Sequence, residues 1–107
     1  MNKMTCDLFG LNAVDIDEAA ALVEVALGLR LLPHESSYRG GKYFRYGEPE
    51  GERFILQQNF DPLDGEWNEP EHQDVAYLLY VNETGRGLDI ERRLIDTIGD
   101  LKLLRRE

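Results

Sequence analysis

Cysteine, long apolar runs and a signal-like start are scarce or missing in this sequence of 107 residues. Cys6 is the only cysteine, so no disulfide forms within the chain, and its apolar surroundings favour a buried structural thiol over a nucleophile. No apolar run approaches the roughly 20 residues of a transmembrane helix. The first ten residues also lack the apolar core of a secretory signal. We therefore expect a cytoplasmic protein that does not bind membranes.

The motifs of common catalytic sites are missing as well. The chain has no GxSxG, P-loop or GxGxxG motif. Its two histidines, His34 and His72, lie far apart in the sequence, and their spacing predicts no shared metal ion. An EF-hand alignment fails because Phe60 and Pro62 would occupy positions that require oxygen ligands. We predict no catalytic residues, no metal, no cofactor and no enzymatic activity.

Basic residues are few, and one quarter of the chain has none. Lys and Arg number 12 against 21 Asp and Glu, so the net charge is −9. This charge opposes contact with phosphates, and we expect no direct nucleic-acid ligand. Residues 59–85 hold seven carboxylates and neither Lys nor Arg. In "YRGGKYFRY", residues 38–46, basic residues are interleaved with aromatic ones, which indicates either a half-buried strand with solvated charges or a base-stacking surface.

The first third of the chain predicts a strand and a helix. "TCDLFGL", Thr5–Leu11, mixes apolar and β-compatible residues and predicts the first strand. A helix over about residues 15–27 begins with a capping box formed by Asp15 and Glu18 and ends at Gly28. Its apolar residues, which recur at helical spacing, are Ile16, Ala20, Val23 and Leu27.

Extended segments fill the middle of the chain. "LRLLPHES" predicts a short strand or extended arm that stops at Pro33. Residues 40–47 and 52–60 predict a hairpin, because "EPEG" between them supplies turn residues. "VAYLLYVN", residues 75–82, is apolar at every position before Asn82, which predicts a central strand covered on both faces.

The last segment allows two interpretations. Ile90, Leu94, Ile95 and Ile98 share one helical face before Gly99 interrupts the pattern. Either the helix continues at a cost of about 1 kcal/mol for the glycine, or it ends there and "DLKLLRR" forms a final strand. We favour the strand, because the first helix is followed by the same pattern of glycine, leucines and basic residues.

The predicted elements follow the order βαβ, hairpin, βαβ. This order indicates a single α+β domain over residues 1–107, with a mostly antiparallel sheet and two helices on one face, as in ferredoxin-like or split βαβ folds. It also resembles the βαβββ module of the glyoxalase-like (vicinal oxygen chelate) proteins. That resemblance implies a small-molecule binder or enzyme acting as a dimer, with metal-binding His and Glu on its strands. Here the first strand offers only Asp7.

The most specific feature is the acidic stretch "FDPLDGEWNEPEHQD", residues 60–74. Pro62 and Pro70 stiffen it and reduce the entropy that is lost when a partner orders it. Such charge runs are often only solvated connections, but an aromatic anchor among carboxylates favours binding to a positively charged groove. The predicted partner-binding residues are Asp61, Asp64, Glu66, Trp67, Glu69, Glu71 and Asp74.

In size, acidity and overall pattern, the whole chain resembles the immunity proteins of bacterial toxin systems such as contact-dependent growth inhibition. The resemblance implies a protein that binds and neutralises a cognate toxin, frequently a nuclease, by blocking its basic active-site groove. In this hypothesis the carboxylates of residues 61–74 occupy the groove that would otherwise hold nucleic-acid phosphates, and Trp67 anchors the contact. The glyoxalase-like dimer is the alternative function.

Overall fold

Two helices and a set of strands make up the part of the chain, residues 4–36 and 41–107, that the computed structural model describes. The first strand has the predicted bounds, and the first helix begins one residue after its predicted cap. In chain order the elements are β1 (Thr5–Leu11), α1 (Ile16–Leu27), β2 (Leu32–Ser36), β3 (Gly41–Gly47), β4 (Arg53–Gln58), β5 (Phe60–Asp61), β6 (Glu66–Trp67), a 3₁₀ helix (Pro70–His72), β7 (Tyr77–Thr84), α2 (Gly87–Thr97) and β8 (Lys102–Arg106).

The main sheet of the described chain has the strand order β2-β3-β4-β7-β1-β8, and each neighbouring pair is antiparallel. β7 and β8 both run antiparallel to β1 and are therefore parallel to each other. Because α2 connects them, β7, α2 and β8 form a split βαβ unit around β1. The predicted α+β class with a mostly antiparallel sheet is thus confirmed. β5 and β6 pair separately as a small hairpin.

Both helices pack on one face of the sheet, as predicted. α1 has the predicted capping box: the Asp15 carboxylate accepts from the Glu18 N–H at 2.8 Å, and Glu18 accepts from the Val14 N–H at 3.0 Å. Gly28 ends α1 with a left-handed φ of 67°. Neither helix of the described chain is long and apolar enough to cross a membrane. The helical residues buried against the sheet are Ala19, Ala20, Val23, Leu27, Ile90 and Leu94.

β7 lies between β4 and β1 and is covered on both faces, which confirms the prediction of a central strand. Leu79 and Val81 pack in the core beneath the helices, and both are fully buried. Leu78 points to the opposite face and is also fully buried. Since complete burial of such a side chain stabilises by roughly 1.5–3 kcal/mol, β7 is a main source of stability.

Two details of the secondary structure differ from the prediction. β2 does not stop at Pro33 but passes through it and ends at Ser36. Proline is tolerated there because β2 is an edge strand, where one row of backbone N–H groups has no partner within the sheet. Ile95, predicted to share the apolar face of the second helix, is 47% exposed. It lies on the flank of the stripe formed by Ile90 and Leu94, which are fully buried.

The C-terminal segment forms a strand, which confirms the preferred interpretation. β8 pairs with β1, and the Arg106 guanidinium donates to both carboxylate oxygens of Asp7 at 3.0 Å and to Glu91 at 3.0 Å. The bond to Asp7 is the main reason that the pKa of Arg106 is raised. The acidic side chain of the first strand is therefore part of a structural ion pair. Cys6, expected to be buried, is partly exposed.

The sheet face opposite the helices is covered in part by the chain itself. Val75, at the end of the acidic stretch, packs there with Leu8 and Leu78. A Cβ at Gly10 would lie 2.8 Å from Val75, so only glycine permits this close approach. The acidic stretch is thus attached to the sheet at its C-terminal end.

Candidate functional site

The first part of the acidic stretch folds into a small hairpin. β5 pairs with β6, so that Phe60 lies opposite Trp67. At the turn Gly65 adopts a φ of 73°, and its N–H donates to the carbonyl of Asp61 at 2.8 Å. Residues 60–67 are termed the acidic hairpin below. This hairpin has defined backbone geometry, unlike a solvated irregular connection.

Two aspartates shape the tip of the acidic hairpin. Asp61 Oδ1 accepts from the Leu63 N–H at 2.9 Å, and Asp64 Oδ1 accepts from the Glu66 N–H at 3.0 Å. Both contacts are Asx turns, in which a short carboxylate side chain replaces a backbone acceptor. Asp61 is only 6% exposed, whereas Asp64 faces solvent. Asp61 is therefore mainly structural, and Asp64 keeps an accessible carboxylate.

Asn59, which is fully buried, connects the hairpin to the segment that follows it. Its Nδ2 donates to the carbonyls of His72 at 2.8 Å and Val75 at 3.0 Å, and its Oδ1 accepts from the Glu69 N–H at 2.9 Å. Its backbone N–H donates to the carbonyl of Ala76 at 2.8 Å. The sequence does not point to this residue, because a single asparagine in a polar segment forms no recognisable pattern.

The carboxylates that follow the hairpin bind the sheet. Glu69 accepts from the Tyr80 hydroxyl at 2.7 Å and from Arg105 Nη1 at 3.2 Å. Asp74 pairs with Lys102 Nζ at 2.6 Å, a bond that lowers the pKa of Asp74 and raises the pKa of Lys102. These contacts place the C-terminal half of the acidic stretch over β7 and β8.

The predicted partner-binding residues therefore divide into two groups. Three have carboxylates that already bind groups within the protein: Asp61, Glu69 and Asp74. Three others are exposed and have no cationic partner within residues 4–36 and 41–107: Asp64, Glu66 and Glu71. Trp67 is half-buried and packs edge-on against Phe60, with ring centroids 5.2 Å apart. The accessible part of the predicted surface is the second group together with one side of Trp67.

Two apolar residues extend this surface beyond the predicted set. Leu63, at the tip of the acidic hairpin, is 70% exposed, and Phe60, at its base, is 40% exposed. Exposed apolar side chains gathered on one protruding element are typical of an interaction surface. The signal in the sequence is the pair of apolar residues within "FDPLDGEW", which a prediction based on charge and the tryptophan leaves out.

A shallow depression beside the acidic hairpin has a volume of about 230 Å³. Ligand pockets usually occupy roughly 300–1,000 Å³, so this depression suits a side chain of a partner better than a whole small molecule. Its lining residues are Gln58, Phe60, Pro62, Trp67, Ala76 and Tyr77. The site as a whole is thus a protruding hairpin with an adjoining notch.

The described ranges contain no group of three or more His, Cys, Asp or Glu placed to hold a metal ion. Comparison with protein-family models, curated proteins and solved structures gives no match. The function is inferred from geometry and charge.

Proposed function

We propose that this protein is an immunity-type inhibitor, which binds a toxin through the acidic hairpin and blocks a basic active-site groove, as expected for a nuclease toxin. One observation carries the proposal: an exposed apolar tip lies beside carboxylates that are free to bind. Leu63 is 70% exposed, and the adjacent Asp64 and Glu66 have no cationic partner in the described part of the chain.

Apolar and acidic residues of the hairpin have different roles in this proposal. Burying a leucine or phenylalanine completely contributes roughly 1.5–3 kcal/mol, so Leu63 and Phe60 supply the attraction that holds the complex together. Asp64 and Glu66 lie around them and supply electrostatic steering, which mainly increases the association rate and the specificity. Such a combination fits a groove with an apolar floor and basic walls.

The internal bonds of the acidic hairpin support binding without a large entropic penalty. The Asx turns of Asp61 and Asp64 and the contacts of Asn59 define its shape before a partner arrives. A preorganised segment loses less conformational freedom on binding than a flexible one. The hairpin is therefore suited to insertion as a preformed unit.

Inhibition would be steric and electrostatic. A nuclease groove that holds phosphates is lined with cationic side chains, and the carboxylates of Asp64, Glu66 and Glu71 would pair with those same groups. The net charge of −9 also favours encounter with a basic protein over long distances. Substrate is then excluded because the hairpin occupies its place.

The test measures binding and inhibition of a toxin, for which the product of the adjacent gene is the first candidate. The double variant Asp64→Lys/Glu66→Lys should associate about tenfold or more slowly at low salt, with a smaller difference at high salt, because ions screen electrostatic steering. Association rate constants at two salt concentrations and the residual toxin activity are the readouts. The free energy of unfolding should barely change, since both side chains are exposed.

A matched control separates the hairpin from net charge. The variant Asp96→Lys/Glu50→Lys makes the same change in charge at exposed positions on α2 and in the turn before β4. It should slow association much less. If the hairpin variant binds and inhibits like the wild type, the acidic hairpin is not the inhibitory surface.

A further inference from the structure

A basic strip lies on the sheet face opposite the helices, on β2, β3 and β4. Phe44, Phe54 and Leu56 belong to the core beneath the helices, so the alternate residues of these strands point to the other face. No Asp or Glu stands at these positions among the described residues. The residues of the strip, termed the basic face below, are Leu32, His34, Tyr43, Arg45, Arg53 and Ile55.

Arg45 is the centre of the basic face. Its guanidinium has no carboxylate partner in residues 4–36 and 41–107, although the protein carries a net charge of −9. Arg53, diagonally opposite on β4, donates to the carbonyl of Gly51 at 3.1 Å. On the other side of Arg45, His34 is exposed. The positive charge of this strip is therefore available to an external group.

The basic face also has an apolar component and a concave shape. Leu32, directly opposite Arg45, is 57% exposed. Leu32, His34 and Arg45 line one side of a shallow groove of about 510 Å³, which is large enough to accept the side chains of a short peptide segment. The groove thus offers an apolar contact beside an unneutralised cation.

The acidic hairpin has the complementary properties: an exposed leucine, Leu63, beside the unpaired carboxylates of Asp64 and Glu66. It does not reach the basic face of its own chain. Ile55 stands opposite Arg45 and precedes Phe60 by five residues, which is roughly 17 Å of extended strand. No ion pair joins the hairpin to Arg45 in the described structure. The complementary groups can therefore meet only between two molecules.

We infer that the acidic hairpin of one copy of this chain docks on the basic face of a second copy, and that the second copy returns the same contact. Leu63 would pack against Leu32, and Asp64 and Glu66 would pair with Arg45. Two identical contacts related by a two-fold axis form a closed dimer. The inference does not depend on the proposed function. If both hold, dimer formation covers the hairpin, and a toxin competes with the second copy for it.

Sedimentation velocity over a concentration series tests the dimer. The wild type should show a monomer–dimer equilibrium in the range up to about 1 mM, where weak associations are found. Arg45→Glu and Asp64→Lys/Glu66→Lys should each weaken the dimer about tenfold or more, because each places like charges opposite one another. The emission of Trp67, the only tryptophan, provides a second readout, since dilution of the wild type should expose it further.

Mixing the two variants gives the decisive result. In the mixed dimer the unchanged hairpin of the Arg45→Glu chain meets the unchanged basic face of the Asp64→Lys/Glu66→Lys chain. In the other contact the lysines of the altered hairpin meet the carboxylate of the altered basic face, so that both contacts are attractive again. The mixture should dimerise more strongly than either variant alone. Arg92→Glu, an equal charge change at an exposed position on α2, serves as the control and should leave the equilibrium unchanged.

Three outcomes overturn the inference. They are a wild type that stays monomeric over the whole concentration range, a dimer unaffected by the variants, and a mixture that shows no recovery. The first leaves the basic face to a different acidic partner, and the second assigns the dimer to another surface. None of the three affects the proposed function, because toxin binding by the monomer is measured separately.

Discussion

At the scale of single residues, Asn59 shows how one buried amide determines the shape of a surface. Its side chain is fully buried and uses both its N–H donors and its oxygen acceptor. Only an amide of this size offers donors and an acceptor in that arrangement. The position of the acidic hairpin relative to the sheet therefore depends on a residue that no partner would touch.

Asn59→Asp should lower the free energy of unfolding by about 2–4 kcal/mol. The substitution keeps the shape but replaces two donated hydrogen bonds with acceptors facing the carbonyls of His72 and Val75, and each buried unsatisfied group costs about 1–3 kcal/mol. Urea unfolding measures the loss. Asn68→Asp is the control: its side chain donates to the carbonyl of Gln58 but is exposed, and it should cost below about 1 kcal/mol. Equal losses would contradict the role of Asn59.

Leu79→Ala should cost about 2–5 kcal/mol of unfolding free energy, because it leaves a cavity in the middle of the central strand. Chemical denaturation of the two proteins under the same conditions gives the difference. Leu88→Ala removes the same atoms from a side chain that is 75% exposed and should change stability by about 0.5 kcal/mol or less. A loss below about 1 kcal/mol for Leu79→Ala would show that β7 is not part of a tightly packed core.

At the scale of elements, the acidic hairpin combines a rigid base and an exposed tip. The base is the edge-to-face pair of Phe60 and Trp67, together with the buried Asp61. The tip carries Leu63 and Asp64, both exposed. Substitutions at the base therefore change the shape of the hairpin as well as its contacts, whereas substitutions at the tip change contacts alone.

Leu63→Ala should leave the unfolding free energy within about 0.5 kcal/mol of the wild type but increase the dissociation rate of the toxin complex about tenfold. Trp67→Ala should weaken binding by about 2 kcal/mol or more and should also destabilise the hairpin, because it removes the partner of Phe60. Surface plasmon resonance combined with urea unfolding separates the two effects. Val14→Ala, at an exposed position outside the hairpin, is the control. Unchanged dissociation in both variants would exclude the hairpin as the anchor.

At the scale of the whole molecule, an ion pair far from the hairpin links the turn before β4 to the start of α2. Both carboxylate oxygens of Glu52 accept from Arg86, at 2.8–3.2 Å, and one also accepts from the Thr84 hydroxyl at 2.7 Å. The bond to Arg86 is the main cause of a lowered pKa of Glu52, while burial acts in the opposite direction. Since the unfolded chain binds this proton more readily, the pair makes stability rise with pH.

Stability should therefore fall as the pH is lowered, and Glu52 should account for part of the loss. Its contribution is complete above its ordinary pKa of 4.5 and disappears as the pH falls through the lower folded value. Glu52→Gln should be less stable than the wild type at neutral pH, and the difference should narrow below pH 4.5. Urea unfolding at a series of pH values measures this dependence.

Glu50→Gln provides the comparison for this pH experiment, because it removes the same charge from an exposed neighbouring side chain that has no described ion pair. It should reproduce neither the loss at neutral pH nor the narrowing. A constant difference between wild type and Glu52→Gln across the whole range would show that the ion pair has no linked proton.

Local chemistry in the sequence was enough to predict most elements. The capping box of Asp15 and Glu18, the glycine that ends α1 and the apolar run of β7 each act through neighbours in the chain or through burial alone, so their signals are visible without the fold. The concentration of negative charge in residues 59–85 is likewise a property of composition. These features determined the α+β class and the approximate location of the candidate site.

Only the tertiary structure decided which acidic residues face a partner. Asp61, Glu69 and Asp74 have the same chemistry as Glu66 in the sequence, but they bind groups that lie up to 36 residues away in the chain. Their partners are brought close by the order of strands β7, β1 and β8, which depends on burial summed over the whole chain. A carboxylate is available to a partner only when the fold leaves it unpaired, and that depends on distant residues that no local pattern encodes.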